Sequence, residues 1–135
     1  MSKRRLVDTN LIVRYLVQDH ERHAEAAGRL FEACDHGDLV MVVLPAVLAE
    51  CVFVLESFYE CARGEIASAL GSLISSPGIE IDRAPIHLDA LERYRKTKIH
   101  FVDCMIAATA AEARIPVATF DLGFRKFADV RVETE

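Results

Sequence analysis

Short apolar runs alternate along the chain with longer segments that carry apolar residues at helical spacing. The clearest run, residues 39–44, contains no polar side chain, which is typical of a strand buried in a parallel sheet. The other runs are shorter, and turn-forming residues separate most of them from the next element. The predicted strands are residues 6–7, 39–44, 79–81, 117–120 and 130–132.

Apolar residues three and four positions apart predict helices between these strands. Most of the helices have one apolar face, but the segment that begins at Pro45 is apolar nearly all round and is expected to be deeply packed. Residues 36–38 predict the end of one helix, and Pro116 predicts the end of another. The predicted helices are residues 10–17, 20–34, 45–59, 63–75, 86–94, 101–113 and 121–127.

This alternation of strands and helices predicts an α/β protein. The expected architecture is a three-layer α/β/α sandwich with a central, mostly parallel sheet of about five strands. A chain of 135 residues is long enough to bury a core without disulfides or structural metals. We therefore expect a single domain over residues 1–135.

The composition excludes several classes of protein. A hydrophobic content of 52% excludes a disordered chain, and the apolar runs are too short for a membrane span. The basic N-terminus lacks the apolar region of a secretory signal. No two cysteines form a C-x-x-C pair, which favours free thiols in a reducing cytoplasm over disulfides or a zinc site. The cysteines are Cys34, Cys51, Cys61 and Cys104.

The formal net charge of −5 limits how this protein could bind nucleic acid. Proteins that bind nucleic acid with their whole surface are usually basic, so any such contact must be local or bridged by a metal. Basic residues crowd residues 93–98, which is typical of a solvated helix end, with phosphate contact as the alternative.

Four acidic residues stand out because each lies in an apolar setting. Asp8 ends the first predicted strand, where Thr9 or Asn10 is expected to cap the following helix. Glu50 is the only charged residue in 44–55, and Asp103 is the only one in 101–111. Asp121 directly follows the strand predicted at residues 117–120.

Each acid also has a simpler structural explanation. Asp8, Asp103 and Asp121 could cap helices or complement a helix dipole. Glu50 could lie on an exposed stripe of its helix or pair with a residue such as Arg14.

Taken together, the four positions favour a shared site. Acids that follow parallel strands, or begin the helices after them, can face the same end of the sheet. Carboxylates brought together repel one another unless cations compensate. Oxygen ligands without histidine or cysteine favour Mg²⁺ or Mn²⁺ over zinc. Such an ion activates a water and stabilises charge that develops on a phosphodiester.

The ordered set of motifs resembles the PIN-domain ribonucleases, and most closely the VapC-type toxins of bacterial toxin–antitoxin pairs. The resemblance covers essentially the whole chain. Each motif is short, whereas the set and its spacing are specific. The four motifs are residues 7–10 with Arg14, Pro45 to Glu50 followed by 54–56, 101–103 followed by 107–108, and 118–121.

The resemblance implies a metal-dependent endoribonuclease in which Asp8 and Asp103 are the principal Mg²⁺ ligands. It implies that Asp121 supports a second ion or a water, and that Glu50 ligates the metal or positions the water. Asn10, Arg14 and Thr119 are expected to be supporting polar residues. The resemblance also implies an RNA substrate, a homodimer, and a cognate antitoxin protein whose tail occupies the acidic groove, often through a basic residue.

Two other classes of function are alternatives to a ribonuclease. One is a metal-dependent phosphatase with an Asp nucleophile after the first strand. Such enzymes need a second acid two residues later, where this chain has Asn10. The other is a non-catalytic PIN-like interaction module, which would bind no metal.

Overall fold

The computed structural model describes residues 3–134, which separate into two compact units on either side of Ala84 and Pro85. The first unit contains a sheet and most of the helices, and the second is mainly helical. The elements are β1 (Lys3–Leu6), α1 (Thr9–Val17), α2 (Glu21–Asp35), β2 (Leu39–Val43), α3 (Pro45–Ser57), α4 (Arg63–Ile74), β3 (Ile79–Ile81), α5 (Ala84–Lys96), α6 (Phe101–Ala113) and a 3-10 helix (Leu122–Lys126).

The sheet of the first unit is parallel, with strand order β1-β2-β3. The central strand β2 pairs with both neighbours, and its alternate residues Leu39, Met41 and Val43 are buried. Contacts run from α2 to α1, from α1 to α3 and from α3 to α4. The helices therefore form a continuous layer, which contacts the sheet where α2 meets β2 and α4 meets β3.

Local sequence signals account for the element boundaries. Gly37 has a positive φ of 81° just after α2, as the predicted helix stop requires. Pro45 occupies the first turn of α3, where its missing N–H costs no hydrogen bond. Gly78 has a φ of 75°, and a Cβ built there would lie 2.7 Å from Cβ of Cys34. Only glycine therefore fits the turn that leads into β3.

The expectation that the helix from Pro45 is deeply packed is wrong for part of α3. Leu48, Cys51, Val52 and Leu55 are buried, but the side chain of Phe53 is 66% exposed. A helix that covers a sheet from one side buries a stripe of residues and leaves the opposite stripe in solvent, whatever the residue type.

The α/β class with a parallel sheet flanked by helices is confirmed, but the number of strands is wrong within residues 3–134. The strands predicted at 117–120 and 130–132 are reduced to one bridge between Val117 and Val132. Beyond Val117 the Thr119 hydroxyl accepts a hydrogen bond from the Asp121 N–H at 2.9 Å. That local turn takes the place of ladder pairing. The three-layer arrangement and the single domain stay predictions.

In the second unit an arginine joins the helical part to the C-terminal segment. Arg93 of α5 makes a two-pronged contact with the Asp129 carboxylate, with one N–O distance of 2.8 Å. Its guanidinium also lies over the ring of Phe127, 5.0 Å from the centroid. Tyr94 is buried and meets Phe101 of α6 edge to face.

Candidate active site

Asp8 is delivered to the end of the sheet by the extension of β1. The Val7 N–H donates to the Val42 carbonyl at 3.1 Å, so the ladder continues to the residue before Asp8. Asp8 itself is the N-cap of α1, and its Oδ1 accepts from the Leu11 N–H at 3.0 Å. The expectation that Thr9 or Asn10 caps this helix is therefore wrong, because the chain turns one residue earlier.

Capping leaves Asp8 available to a ligand. The side chain is exposed, and among the described residues no hydrogen bond to its second oxygen, Oδ2, is found. The simpler explanation, helix capping, is thus correct for Asp8. It does not compete with a metal role, because a carboxylate has two oxygens and the cap uses one.

Glu50 lies on the exposed stripe of α3, between neighbours that differ sharply in burial. Cys51 is fully buried, whereas Glu50 is exposed. The energetic cost of a buried carboxylate therefore gives no support for a metal at this residue. Of the two simpler explanations for Glu50, the exposed stripe is the one that the structure shows. No ion pair between Glu50 and Arg14 is found among the described residues.

Asp8 and Glu50 line the same open groove of the first unit, with a volume of about 530 Å³. Four residues of α1, three of them polar, and residues of α3 and the segment after it complete the groove. The lining residues are Asp8, Thr9, Asn10, Val13, Arg14, Val47, Glu50, Val54, Phe58 and Tyr59. The fold thus joins the first two predicted motifs in one concave surface.

Arg14 lines this groove but is already paired with an acid that the sequence analysis did not single out. Its guanidinium donates to Oδ1 of Asp19 at 2.9 Å, and the Tyr59 hydroxyl donates to Oδ2 of the same carboxylate at 2.7 Å. These bonds from Tyr59 and Arg14 lower the pKa of Asp19 and raise the pKa of Tyr59. Asp19 therefore offsets the charge of Arg14.

The buried thiol of Cys51 lies within reach of the negative charges of the groove. Its pKa is raised to about 12, first by burial and then by the negative charges of Glu50 and Asp8. Both carboxylates therefore act on one point of the core. At neutral pH this thiol is protonated and unreactive, which agrees with core filling rather than a nucleophilic role.

The second unit contains the other two acids. Asp103 is half-buried in the first turn of α6, which has no side-chain cap from His100. Asp121 is exposed and caps the 3-10 helix, with its Oδ1 accepting from the Gly123 N–H at 2.7 Å. Helix capping is thus correct for Asp121 too. Thr119 supports it through the backbone contact described above.

Within residues 3–134 no group of three or more His, Cys, Asp or Glu side chains forms a metal cluster. The assembly of Asp8, Glu50, Asp103 and Asp121 into one site therefore stays a prediction. One feature of Asp8 and Glu50, the two acids of the first unit, suits a divalent cation. Their two exposed carboxylates share a groove whose arginine, Arg14, forms an ion pair with Asp19.

The remaining charged candidates are occupied by structural contacts. The basic stretch at 93–98 is largely paired, since Arg93 contacts Asp89 and Asp129, and Arg95 contacts Glu92. Two histidines are exposed at the start of α2. His20 caps that helix and stacks on His23, with ring centroids 3.7 Å apart.

Comparison with known proteins identifies the family. The family model of the PIN domain matches residues 5–130, which is most of the chain. The protein therefore belongs to the PIN domain family, and that part of the sequence interpretation is confirmed. A search of curated proteins found no match.

One solved structure resembles this chain over nearly its whole length. It is VapC20 of Mycobacterium tuberculosis, described as a toxin that cleaves the sarcin-ricin loop. The two chains are 23% identical, the alignment covers 94% of this chain and 98% of that one, and the TM-score is 0.43. The family assignment thus depends on the match to the PIN domain. No described helix is both long and apolar enough to cross a membrane.

Proposed function

We propose that this PIN-domain protein is a metal-dependent endoribonuclease that acts in the cytoplasm as the toxin of a toxin–antitoxin pair. The observation that carries the proposal is the pairing of Asp8 and Glu50 in one open groove. Arg14, the arginine that lines the groove, is bound to Asp19, and among residues 3–134 no ion pair to Asp8 or Glu50 is found.

The proposed cofactor is Mg²⁺, with Mn²⁺ as the alternative. Asp8 and Glu50 offer only oxygen ligands, which suit these hard cations. Asp103 and Asp121 are proposed to complete the ligand set, as the family resemblance implies. When bound, such a cation supplies a more acidic water and offsets charge that develops on the phosphate.

The residues of the chain have distinct proposed tasks. The hydrogen bond from the Leu11 N–H holds the Asp8 carboxylate just beyond the carboxyl end of β1. Little conformational entropy is therefore lost when this carboxylate takes part in a reaction. Glu50, one helix away in the same groove, is placed to orient a water or take its proton. Asn10 is exposed beside them, and Thr119 holds the turn before Asp121.

The proposed partner is a small protein inhibitor with a basic segment that enters the groove. Residues 85–135 carry equal numbers of basic and acidic side chains, so the formal net charge of −5 belongs to residues 1–84. This part of the chain contains the groove. A basic peptide would therefore be attracted to it. A homodimer is proposed on the family resemblance alone.

Expression in a bacterial host tests the function. We expect growth arrest and discrete RNA fragments with the wild type, and neither with Asp8→Asn or Glu50→Gln. Purified wild type should cleave RNA with Mg²⁺ and lose that activity with a chelator. Glu25→Gln is the matched control, because Glu25 is an exposed acid outside the groove.

The same experiment separates the alternatives. Normal cleavage by Asp8→Asn would refute the site. Normal growth and intact RNA with the wild type would favour a non-catalytic interaction module. Asp103→Asn and Asp121→Asn extend the test to the second unit, and loss of cleavage in either with an intact fold would support the four-carboxylate site.

A further inference from the structure

We propose that Phe58 is a stacking platform for an unpaired RNA base, placed in the groove beside the carboxylates Asp8 and Glu50, the proposed metal ligands. The inference rests on the proposed function and names the residue that would bind a base of the RNA substrate. It also assigns a role to the apolar wall of the groove, which the metal chemistry does not use.

Phe58 combines a free ring with a fixed backbone. Its side chain is 76% exposed, although it is a large apolar residue that lines a groove with two carboxylates. Its N–H donates to the Val54 carbonyl at 2.9 Å, as the C-cap of α3. The end of α3 therefore fixes the backbone from which the ring projects, and most of the side chain faces solvent.

The neighbouring aromatic residue gives the platform a rigid support. The rings of Phe58 and Tyr59 meet edge to face, with centroids 4.9 Å apart and an angle of 73° between their planes. The Tyr59 hydroxyl is bound to Asp19, which in turn is bound to Arg14. A ring supported in this way loses little freedom when a ligand stacks on it.

The groove has the two kinds of surface that a nucleotide requires. Asp8, Asn10 and Glu50 form its polar part, where a phosphate and its cation would lie, and Val54 and Phe58 form its apolar part. A volume of about 530 Å³ lies within the range of small-ligand pockets, roughly 300–1,000 Å³. A nucleotide, which has a charged phosphate at one end and an aromatic base at the other, matches this division.

The charge of the first unit explains why stacking would matter here. Residues 1–84 carry the whole net negative charge, so general attraction for the RNA backbone is weak. Stacking on an aromatic ring provides affinity that does not depend on charge, and every base has a face that can stack. In a duplex those faces are already covered by neighbouring bases, so only an unpaired base can use Phe58.

An apolar side chain of a protein partner would also fit an exposed phenyl ring. Two observations favour a base: the platform is an aromatic pair rather than a broad aliphatic surface, and it continues directly into the carboxylates. We therefore commit to RNA and treat the protein partner as an outcome of the test.

The test measures RNA binding without cleavage. The probe is a short single-stranded oligoribonucleotide with one 2-aminopurine, whose fluorescence falls when the base stacks. It is titrated in Mg²⁺ with proteins that carry Asp8→Asn, alone or combined with Phe58→Ala, Phe58→Leu or Phe58→Trp. Phe53→Ala is the matched control, since Phe53 is an exposed phenylalanine of the same helix outside the groove.

We expect Phe58→Ala to weaken binding by roughly 5- to 150-fold, the range for loss of one stacked base. Phe58→Trp should retain affinity, and Phe58→Leu should lose most of it because leucine has no aromatic face. Phe53→Ala should bind as the parent does. The loss caused by Phe58→Ala should be similar at low and high salt, and the probe annealed to its complement should bind weakly.

Equal binding by Phe58→Ala and Phe53→Ala would overturn the inference. Full affinity in Phe58→Leu, or equal affinity for duplex, would also overturn it, and the former would indicate a surface for a protein side chain. If the wild type cleaves RNA while Phe58→Ala binds normally, only this inference fails. If Phe58-dependent binding occurs without cleavage, only the nuclease proposal fails. Absence of RNA binding by the Asp8→Asn parent overturns this inference, whereas only absence of cleavage by the wild type refutes the nuclease proposal.

Discussion

Asp8 combines two features at a single position, because one of its carboxylate oxygens caps α1 and the residue also lines the groove. The sequence singles out this residue because an acid directly follows an apolar strand, and its functional role stays a prediction. It does not show that the same residue is the cap. That depends on where the chain turns, and Thr9 and Asn10 are equally good candidates by residue type.

The two features can be separated with a pair of substitutions. Asp8→Asn retains a capping oxygen but removes the charge, so the free energy of unfolding without metal should equal or slightly exceed that of the wild type while cleavage is lost. Asp8→Ala should lose cleavage and in addition about 1 kcal/mol of stability. Urea unfolding of the three proteins checks this, and equal stability of the two variants would contradict the capping role.

Glu50 shows the limit of reasoning from sequence at one residue. An isolated acid in an apolar helix suggests a buried charge, yet the structure places Glu50 on the exposed stripe. Burial is set by which face of α3 meets its neighbours. That helix is apolar on too many sides for the sequence to indicate the face.

At the scale of elements, helices α1 and α3 create the groove by packing against each other. Their junction also brings Asp19, just after α1, to Tyr59, just after α3. The sequence gives no signal for this pair, because the two residues are forty positions apart and neither belongs to a motif. Only the packing of the helices joins them.

The hydrogen bond between Tyr59 and Asp19 predicts that the free energy of unfolding depends on pH. The bond from Tyr59 is the largest cause of the low pKa of Asp19, so Tyr59→Phe should raise that pKa toward its ordinary value of 3.8. A lowered pKa in the folded state stabilises the protein above the ordinary pKa, and this stability is lost as the pH falls through the folded value. The stability difference between wild type and Tyr59→Phe should therefore be present at neutral pH and vanish in acid.

Titration of the Asp19 carboxyl by NMR, together with urea unfolding across the same pH range, measures both quantities. An unchanged Asp19 pKa in Tyr59→Phe would contradict the hydrogen bond.

The turn before β3 offers a second prediction at this scale. In Gly78→Ala the new Cβ would lie 2.7 Å from Cβ of Cys34 and 2.8 Å from the Leu39 carbonyl oxygen, at a φ of 75°. We expect a loss of roughly 1–3 kcal/mol. Gly37→Ala is the control, since φ is 81° there but nothing lies within 4 Å. Urea unfolding should show the smaller loss at Gly37, and equal losses would contradict the steric argument.

At the scale of the whole molecule, metal binding should appear as stability. A cation that binds the folded carboxylates but not the unfolded chain stabilises by mass action, by about 2.7 kcal/mol at a hundredfold excess over its Kd. Mg²⁺ should therefore raise the Tm of the wild type and have little effect on Asp8→Asn or Glu50→Gln. Thermal unfolding with and without Mg²⁺ measures this, and identical shifts in all three proteins would contradict the proposed ligands.

The sequence by itself determined most of the elements and some of their ends, although β1 runs over Lys3–Leu6 rather than the predicted 6–7. Helix α6 and strand β3 have the predicted bounds, and Gly37 and Pro45 mark a helix end and a helix start as expected. These features depend on local causes, namely hydrophobic periodicity, φ at glycine and the missing N–H of proline. The motif set also indicated the PIN family, which the family model confirms.

The tertiary structure decided which side of each element is exposed and which distant residues meet. It placed Glu50 and Phe58 at the surface, bound Arg14 to Asp19, and reduced the last two predicted strands to a single bridge. The physical reason is the same in each case. Exposure and pairing depend on contacts between residues far apart in the chain, and local periodicity carries no record of those contacts.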